Sequence, residues 1–218
     1  MSIDGYLDDA AQERLLLSND ADFDRVDDVR ATCDAILVGS NTIRQDDPRL
    51  MIRSVSRQEE RVARGERPHP LKVTVTGSCS IDPEARFFTL GEVEKLVYCG
   101  SASAPSARER LGAVATVVDG GDPVDLGFVV DDLGARGVRR LMVEGGGSMH
   151  TQFLTAGLAD ELQLVVAPFF VGDSRAPRFV SDGDFPWGPG HRATLAEVRQ
   201  IGDVVLLRYA LSERFQNG

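Results

Sequence analysis

The sequence predicts an α/β protein built on a mixed, mostly parallel sheet flanked by helices, with antiparallel strands at the C-terminal end. Three observations carry this. Short apolar runs alternate with helix-spaced segments along most of the chain, as in parallel strand–helix units. Two strands end in glycine followed by a polar helix start, at Val38-Gly39-Ser40 and at Val143-Glu144-Gly145. The last two apolar stretches, 193–201 and 204–211, face each other across Gly202-Asp203 and read as a hairpin.

Element by element, Ser18-Asn19-Asp20 offers capping residues ahead of an amphipathic helix through Ala31. Residues 35–39 form a buried strand and 41–45 a short helix closed by Asp46-Asp47-Pro48. Residues 53–70 are dense in charge and carry two prolines near their end, so a solvated, partly mobile excursion is expected there. Strands follow at 71–76, 94–99 and 113–118, with a helix near 106–111 between the last two. Leu126, Val129, Val130 and Leu133 recur at helical spacing, and Gly137 ends that helix. A strand at 140–143 leads into the triple glycine, a helix reaches Gly157, and 162–167 is a further strand. No repeat or linker interrupts residues 1–218, so one domain is expected.

Composition narrows the function classes. The net charge of −10 argues against a nucleic-acid partner. No apolar run approaches the roughly 18 residues of a membrane span, and the start lacks a signal-peptide pattern, so a cytoplasmic location is expected. Cys33, Cys79 and Cys99 are too sparse for a disulfide framework and form no zinc pair, so no metal site is expected. His69, His150 and His191 fall in no hydrolase or deaminase pattern.

Three segments could carry chemistry. Glu144-Gly145-Gly146-Gly147-Ser148, between strand and helix, is either a phosphate cradle of backbone N–H groups or a tight turn. Gly39-Ser40-Asn41-Thr42 repeats the arrangement, its hydroxyls serving a ligand or capping the helix. Asp46-Asp47-Pro48 is a rigid acidic turn that could stabilise a cation or shuttle a proton, with Arg53 beyond it suited to a phosphate. The alternative is a solvated turn beside an exposed arginine.

Taken in order, these segments resemble the bacterial riboflavin-biosynthesis pyrimidine reductase domain. Ser2-Ile3-Asp4-Gly5 is similar to its S-x-D-G signature, and Arg30-Ala31, Asp34–Gly39 and Thr42 to its next block. Asp46-Asp47-Pro48, Leu50 and Arg53 resemble its acidic-proline turn, and Val143–Gly146 its glycine loop. Gly157-Leu158, Asp160-Glu161-Leu162, Ala167-Pro168 and Gly172 resemble its C-terminal block, so that the likeness runs from about Ser2 to Pro177.

The resemblance implies a dihydrofolate-reductase-like fold, a homodimer, and NADPH as hydride donor to the ribosyl C1′ of 5-amino-6-(5-phosphoribosylamino)uracil or a close analogue. It implies that Asp46 or Asp47 stands near the imine, that Arg53 takes the 5′-phosphate, and that Ser2, Asp4, Leu50 and Glu144 contact this phosphorylated pyrimidine substrate. Gly39, Ser40, Thr42, Thr76, Gly145, Gly146, Gly147, Ser148 and Met149 would line the cofactor. The family carries a lysine-bearing strand ahead of S-x-D-G. Here the chain starts at Met1, so either the natural start lies upstream or a strand is missing. Thr76 stands where the family often has aspartate, and no zinc deaminase domain is attached. These departures keep two alternatives in view, a same-fold reductase of a pterin or specialised metabolite and a catalytically silent nucleotide-binding protein.

Overall fold

The computed structural model describes residues 1–11 and 15–215. The chain forms two compact units, one of residues 26–145 and one of Met1–Arg25 with Gly146–Gly218.

The 26–145 unit is a five-stranded parallel sheet in the order β4-β3-β2-β1-β5. Its strands are β1 (Ala35–Gly39), β2 (Leu71–Thr76), β3 (Lys95–Cys99), β4 (Thr116–Asp119) and β5 (Leu141–Val143). The order advances outward from β1 to β4 and then returns to the other side of β1. The junction of β1 and β5 is therefore the topological switch point, where α/β sheets receive ligands beyond the carboxyl ends of their strands. Helix α1 (Asp20–Ala31) leads into this sheet, α2 (Ser40–Asp46) follows β1, and α3 (Val55–Ala63) precedes β2. Next come α4 (Arg86–Thr89), α5 (Ala104–Leu111) after β3, and α6 (Leu126–Ala135) before β5.

Strand alternation divides the core. Ile36, Val38, Val97 and Cys99 pack with Ile43 of α2, Phe87 and Phe88 of α4, and Ala107 and Leu111 of α5. The register places Lys72 beside Ile36 and Thr74 beside Val38, so β2 presents polar side chains to that same apolar face. Lys72 is fully buried, its Nζ donating to the carbonyls of Leu90 (2.7 Å) and Phe87 (3.2 Å). Beyond the opposite face, Tyr98 Oη donates to Asp132 of α6 at 2.6 Å.

The charge-dense segment at 53–70 departs from expectation. It contains α3, capped by the Ser54 hydroxyl. The buried residue of this helix is Arg61, whose guanidinium donates to the carbonyls of Arg67, Ala31 and Cys33, each at 2.9 Å. Carbonyl partners offset the desolvation of the charge, so an ordered helix forms where apolar periodicity gives no signal. The three cysteines are free thiols and buried, and His69 is buried as well.

The other unit holds a three-stranded antiparallel sheet, β6 (Glu161–Val166), β8 (Val204–Ala210) and β7 (Thr194–Ile201), in that spatial order. Gly202 takes φ +62° in the β7–β8 turn, as the hairpin reading requires. Arg208 ties the strands on one face, with 2.8 Å to Glu161 and 3.0 Å to Glu197. The register collects Leu162, Leu164, Val166, Val198, Val205, Leu207 and Tyr209 on the other face. Helix α7 (Gly147–Thr155) completes the unit. Near the start of the chain, Leu7 donates to the Pro177 carbonyl (2.8 Å) and Phe179 to the Gly5 carbonyl (2.9 Å), pairing Tyr6 with Arg178.

Candidate functional site

Within the 26–145 unit the switch point gathers several of the residues singled out from sequence. The Glu144 N–H donates to the Leu37 carbonyl (2.9 Å), locking the end of β5 to the end of β1. Gly145 has φ +68°, and a Cβ there would lie 3.0 Å from Thr42 Cγ2 and 3.1 Å from Thr42 Oγ1. Glycine is thus needed both for its backbone conformation and for the close approach of Thr42. Helix α2 starts at Gly39 with no side-chain cap. Ser40 is buried and its hydroxyl accepts from Arg44 at 3.3 Å, inside the helix.

Glu144 is not open on all sides. Arg30, in the last turn of α1, grips it bidentately, Nε to Oε1 at 2.7 Å and Nη2 to Oε2 at 2.6 Å. The two side chains are only 16% and 17% exposed. Burial opposes the charge on Arg30, but the Glu144 carboxylate outweighs it, with Asp27 adding to the effect, and the guanidinium pKa is raised. In the sequence Arg30 belongs to a block resembling the family's, and nothing around it announces this role. The partners lie far apart in sequence, and no local pattern joins them.

The acidic turn separates its two carboxylates. Asp47, at φ +40°, accepts from the Arg86 N–H (2.7 Å) and Nε (2.9 Å), closing the start of α4. Asp46 is exposed, and its carboxylate has no hydrogen-bond partner among the described residues. Leu50 is buried at φ +46°, a left-handed conformation rare for a branched side chain. The Arg53 N–H donates to Asp27 Oδ1 (2.6 Å) and the Ser54 N–H to Asp27 Oδ2 (3.1 Å), so the far end of the turn hangs on α1. Arg53 itself is exposed. Thr76 is buried, and its hydroxyl accepts the Cys79 N–H (3.0 Å), shaping the turn after β2. A hollow of about 280 Å³ lies beside α2, lined by Ile43, Arg44, Asp47 and residues 81–85 other than Pro83.

In the other unit, Ser2 and Asp4 form a clamp. The Ser2 hydroxyl donates to Asp4 (2.6 Å), and Asp4 also accepts from the N–H groups of Val171 (3.1 Å) and Gly172 (2.8 Å). The Ser2 hydroxyl and these backbone donors hold the Asp4 carboxyl at a pKa of about 2. Helix α7 starts from Gly146 at φ +77°, again with no side-chain cap, whereas α3 and α6 are capped by Ser54 and Asp125. A Cβ on Gly147 would stand 2.2 Å from the Arg178 carbonyl oxygen, so only glycine fits. Ser148 accepts from Gln152 through its hydroxyl, and Met149 is buried, which leaves the backbone as the polar surface of this first turn. Uncapped N–H groups at glycine-led helix starts suit phosphate oxygens. Taken by itself, the start of α7 offers N–H groups that fit a phosphate. No cluster of metal-ligating side chains occurs among the described residues.

A parallel sheet whose switch-point strands end in Gly39 and Glu144-Gly145 defines the class of α/β protein that receives ligands beyond its strand ends. Comparison with known proteins narrows the class. The model of the RibD C-terminal domain family matches residues 1–207. The 2,5-diamino-6-ribosylamino-4(3H)-pyrimidinone 5′-phosphate reductase of Archaeoglobus fulgidus is 37% identical over 84% of this chain and 83% of its own. The reductase of the same name from Methanothermobacter thermautotrophicus is 36% identical, over 84% and 81%. The crystal structure of a pyrimidine reductase-like protein from Corynebacterium diphtheriae superposes with a TM-score of 0.79 at 22% identity, covering 96% of this chain and 88% of that one. This chain belongs to the RibD C-terminal domain family.

Proposed function

We propose that the protein is an NADPH-dependent reductase of riboflavin biosynthesis acting on a ribosylamino-pyrimidine 5′-phosphate. The observation that carries this is the close approach of Gly145 to Thr42 beside Glu144 at the switch point, in a chain whose family and most of whose length are shared with named reductases. The two archaeal relatives are named for the 2,5-diamino-pyrimidinone. That compound, rather than its deaminated uracil counterpart, is the preferred substrate in this reading.

When bound, the nicotinamide would supply the hydride chemistry for reduction at the ribosyl C1′. The protein's own work is alignment and charge. Arg53 meets the 5′-phosphate with a charge-assisted fork. Asp46 stabilises the cationic imine, since Asp47 is committed to Arg86. Glu144, oriented by Arg30, accepts hydrogen bonds from ribose hydroxyls. Thr42 and Gly145 hold the cofactor, and in the other unit Ser2 and Asp4 tie the loop at Val171 and Gly172 rather than reacting.

The working form in this reading is a cytoplasmic homodimer. No helix of the described residues is long and apolar enough to cross a membrane. Leu195 and Val198 of β7, 52% and 59% exposed, add to an uncharged sheet face of the kind that subunits cover.

The test is titration with NADPH and NADH followed by fluorescence and thermal shift, then oxidation of the bound nucleotide with each pyrimidine. Binding of NADPH and turnover of the diamino compound are expected. Absence of any nucleotide binding defeats the reading at its first step. Binding without turnover of either pyrimidine leaves only a nucleotide-binding protein.

A further inference from the structure

Helix α1 reaches two of the segments assigned to the substrate through side chains one turn apart. Asp27 and Arg30 are three residues apart, on one face of the helix. Asp27 is 3% exposed, and its two oxygens accept the Arg53 and Ser54 N–H groups at 2.6 and 3.1 Å. Oδ2 also meets Arg57 Nη1 at 3.1 Å. Arg30 holds both oxygens of Glu144 at 2.7 and 2.6 Å. The same helix end is fixed in turn by Arg61, which donates to the Ala31 carbonyl at 2.9 Å. All of these groups lie in the 26–145 unit.

We infer that Asp27 and Arg30 are paired positioning residues, and that the last two turns of α1 act as a ruler setting the spacing between the Arg53 turn and Glu144. The inference rests on the reductase reading above, in which Arg53 takes the phosphate end of the substrate and Glu144 its ribosyl hydroxyls. Neither Asp27 nor Arg30 touches substrate in it. Asp27 fixes the backbone from which Arg53 projects. Arg30 fixes the rotamer of Glu144 with a planar fork that matches a carboxylate in only one orientation. A rigid helix then ties the two settings together, since neither contact shifts without straining the other. Ligands of one length, a pyrimidine ribosylamine with a terminal phosphate, satisfy both ends.

The experiment compares wild type, Asp27→Asn, Arg30→Gln, Arg30→Lys and Glu144→Gln in the full chain. It measures KM and kcat for the phosphorylated and dephosphorylated pyrimidine, the NADPH Kd by fluorescence, and Tm. Asp27→Asn and Arg30→Gln are expected to raise KM for the phosphorylated substrate about tenfold while NADPH Kd stays within twofold. Arg30→Lys keeps the charge but lacks the fork, so it fails to restore KM. For the dephosphorylated substrate the Asp27→Asn effect shrinks and the Arg30→Gln effect remains. A merely structural role moves NADPH Kd and Tm together with KM, or lets lysine restore KM, and either result overturns the inference. Wild-type turnover with unchanged KM in the variants also overturns it while leaving the reductase reading intact. A wild-type chain that binds no NADPH removes both. Asp27→Asn and Glu144→Gln are isosteric and report even if Arg30→Gln does not fold.

Discussion

Asp47 receives both the backbone N–H and the Nε of Arg86, at 2.7 and 2.9 Å, and so acts as the missing cap of α4 from the end of α2. The ion pair itself is 45% and 44% exposed and contributes little. Most of the stabilisation comes from the capping bond to the backbone N–H.

Asp47→Ala is therefore expected to cost about 1 kcal/mol of stability while leaving kcat near wild type. Asp46→Asn is expected to do the opposite, with Tm unchanged and turnover reduced by about a hundredfold. Urea unfolding and steady-state kinetics on the two variants decide the matter. A stable but inactive Asp47→Ala would move the imine contact to Asp47.

Leu50 combines burial with φ +46°. Truncation to alanine removes core contacts and keeps the left-handed strain, at a cost of about 2–4 kcal/mol. Glycine loses the same contacts but releases roughly 1 kcal/mol of strain. Leu50→Gly should therefore be more stable than Leu50→Ala, the reverse of the usual order. Paired denaturant melts test this, and an alanine variant more stable than the glycine one would show that the turn carries no strain.

Lys72 is buried among apolar side chains. Burial, assisted by the charge of Lys95, lowers its pKa from 10.5 to about 8. Between those two values the unfolded chain holds a proton that the folded chain has released, so stability gained at this site rises with pH. Relative to Lys72→Met, wild type should gain up to roughly 3 kcal/mol as pH climbs through that window, and nothing below it. Unfolding of both proteins at a series of pH values reads the difference. A flat difference curve would mean that the ammonium is well solvated by the Phe87 and Leu90 carbonyls.

The uncharged face of the antiparallel sheet is expected to lie between subunits. Val198→Glu, 59% exposed on the edge strand β7, should convert a dimer to monomer in sedimentation without lowering monomer stability by more than about 0.5 kcal/mol. An unchanged mass would place the interface elsewhere.

Much of this architecture was readable because the relevant forces are local. The strand at 35–39 is a continuous apolar run and is buried almost throughout. The hairpin at Gly202-Asp203 and the glycine junctions at Gly39 and Gly145 announce themselves by residue type. Helix α3 carries no such signal because its buried member is an arginine, and apolar periodicity cannot see a guanidinium held by three carbonyls and the Glu66 carboxylate. The site was legible as segments but not as contacts. Nothing in Asp46-Asp47 tells which carboxylate Arg86 will take, and nothing near Glu144 announces Arg30. Thr76 looked like a ligand contact, yet its buried hydroxyl serves the turn at Cys79. Long-range partners of this sort depend on which side chains the finished sheet brings side by side.

The strand order has a kinetic side. β2, β3 and β4 can each dock on the strand made just before it, but β5 must find β1 roughly a hundred residues upstream. Closing so long a loop is entropically costly and slow compared with nearest-neighbour pairing. β5 should then be the last strand to join, and its amides the first to open in hydrogen exchange. The wall that carries Glu144 and Gly145 would thus mature late. A nascent or partly opened chain could be largely folded at its other edge and still be unable to receive a ligand.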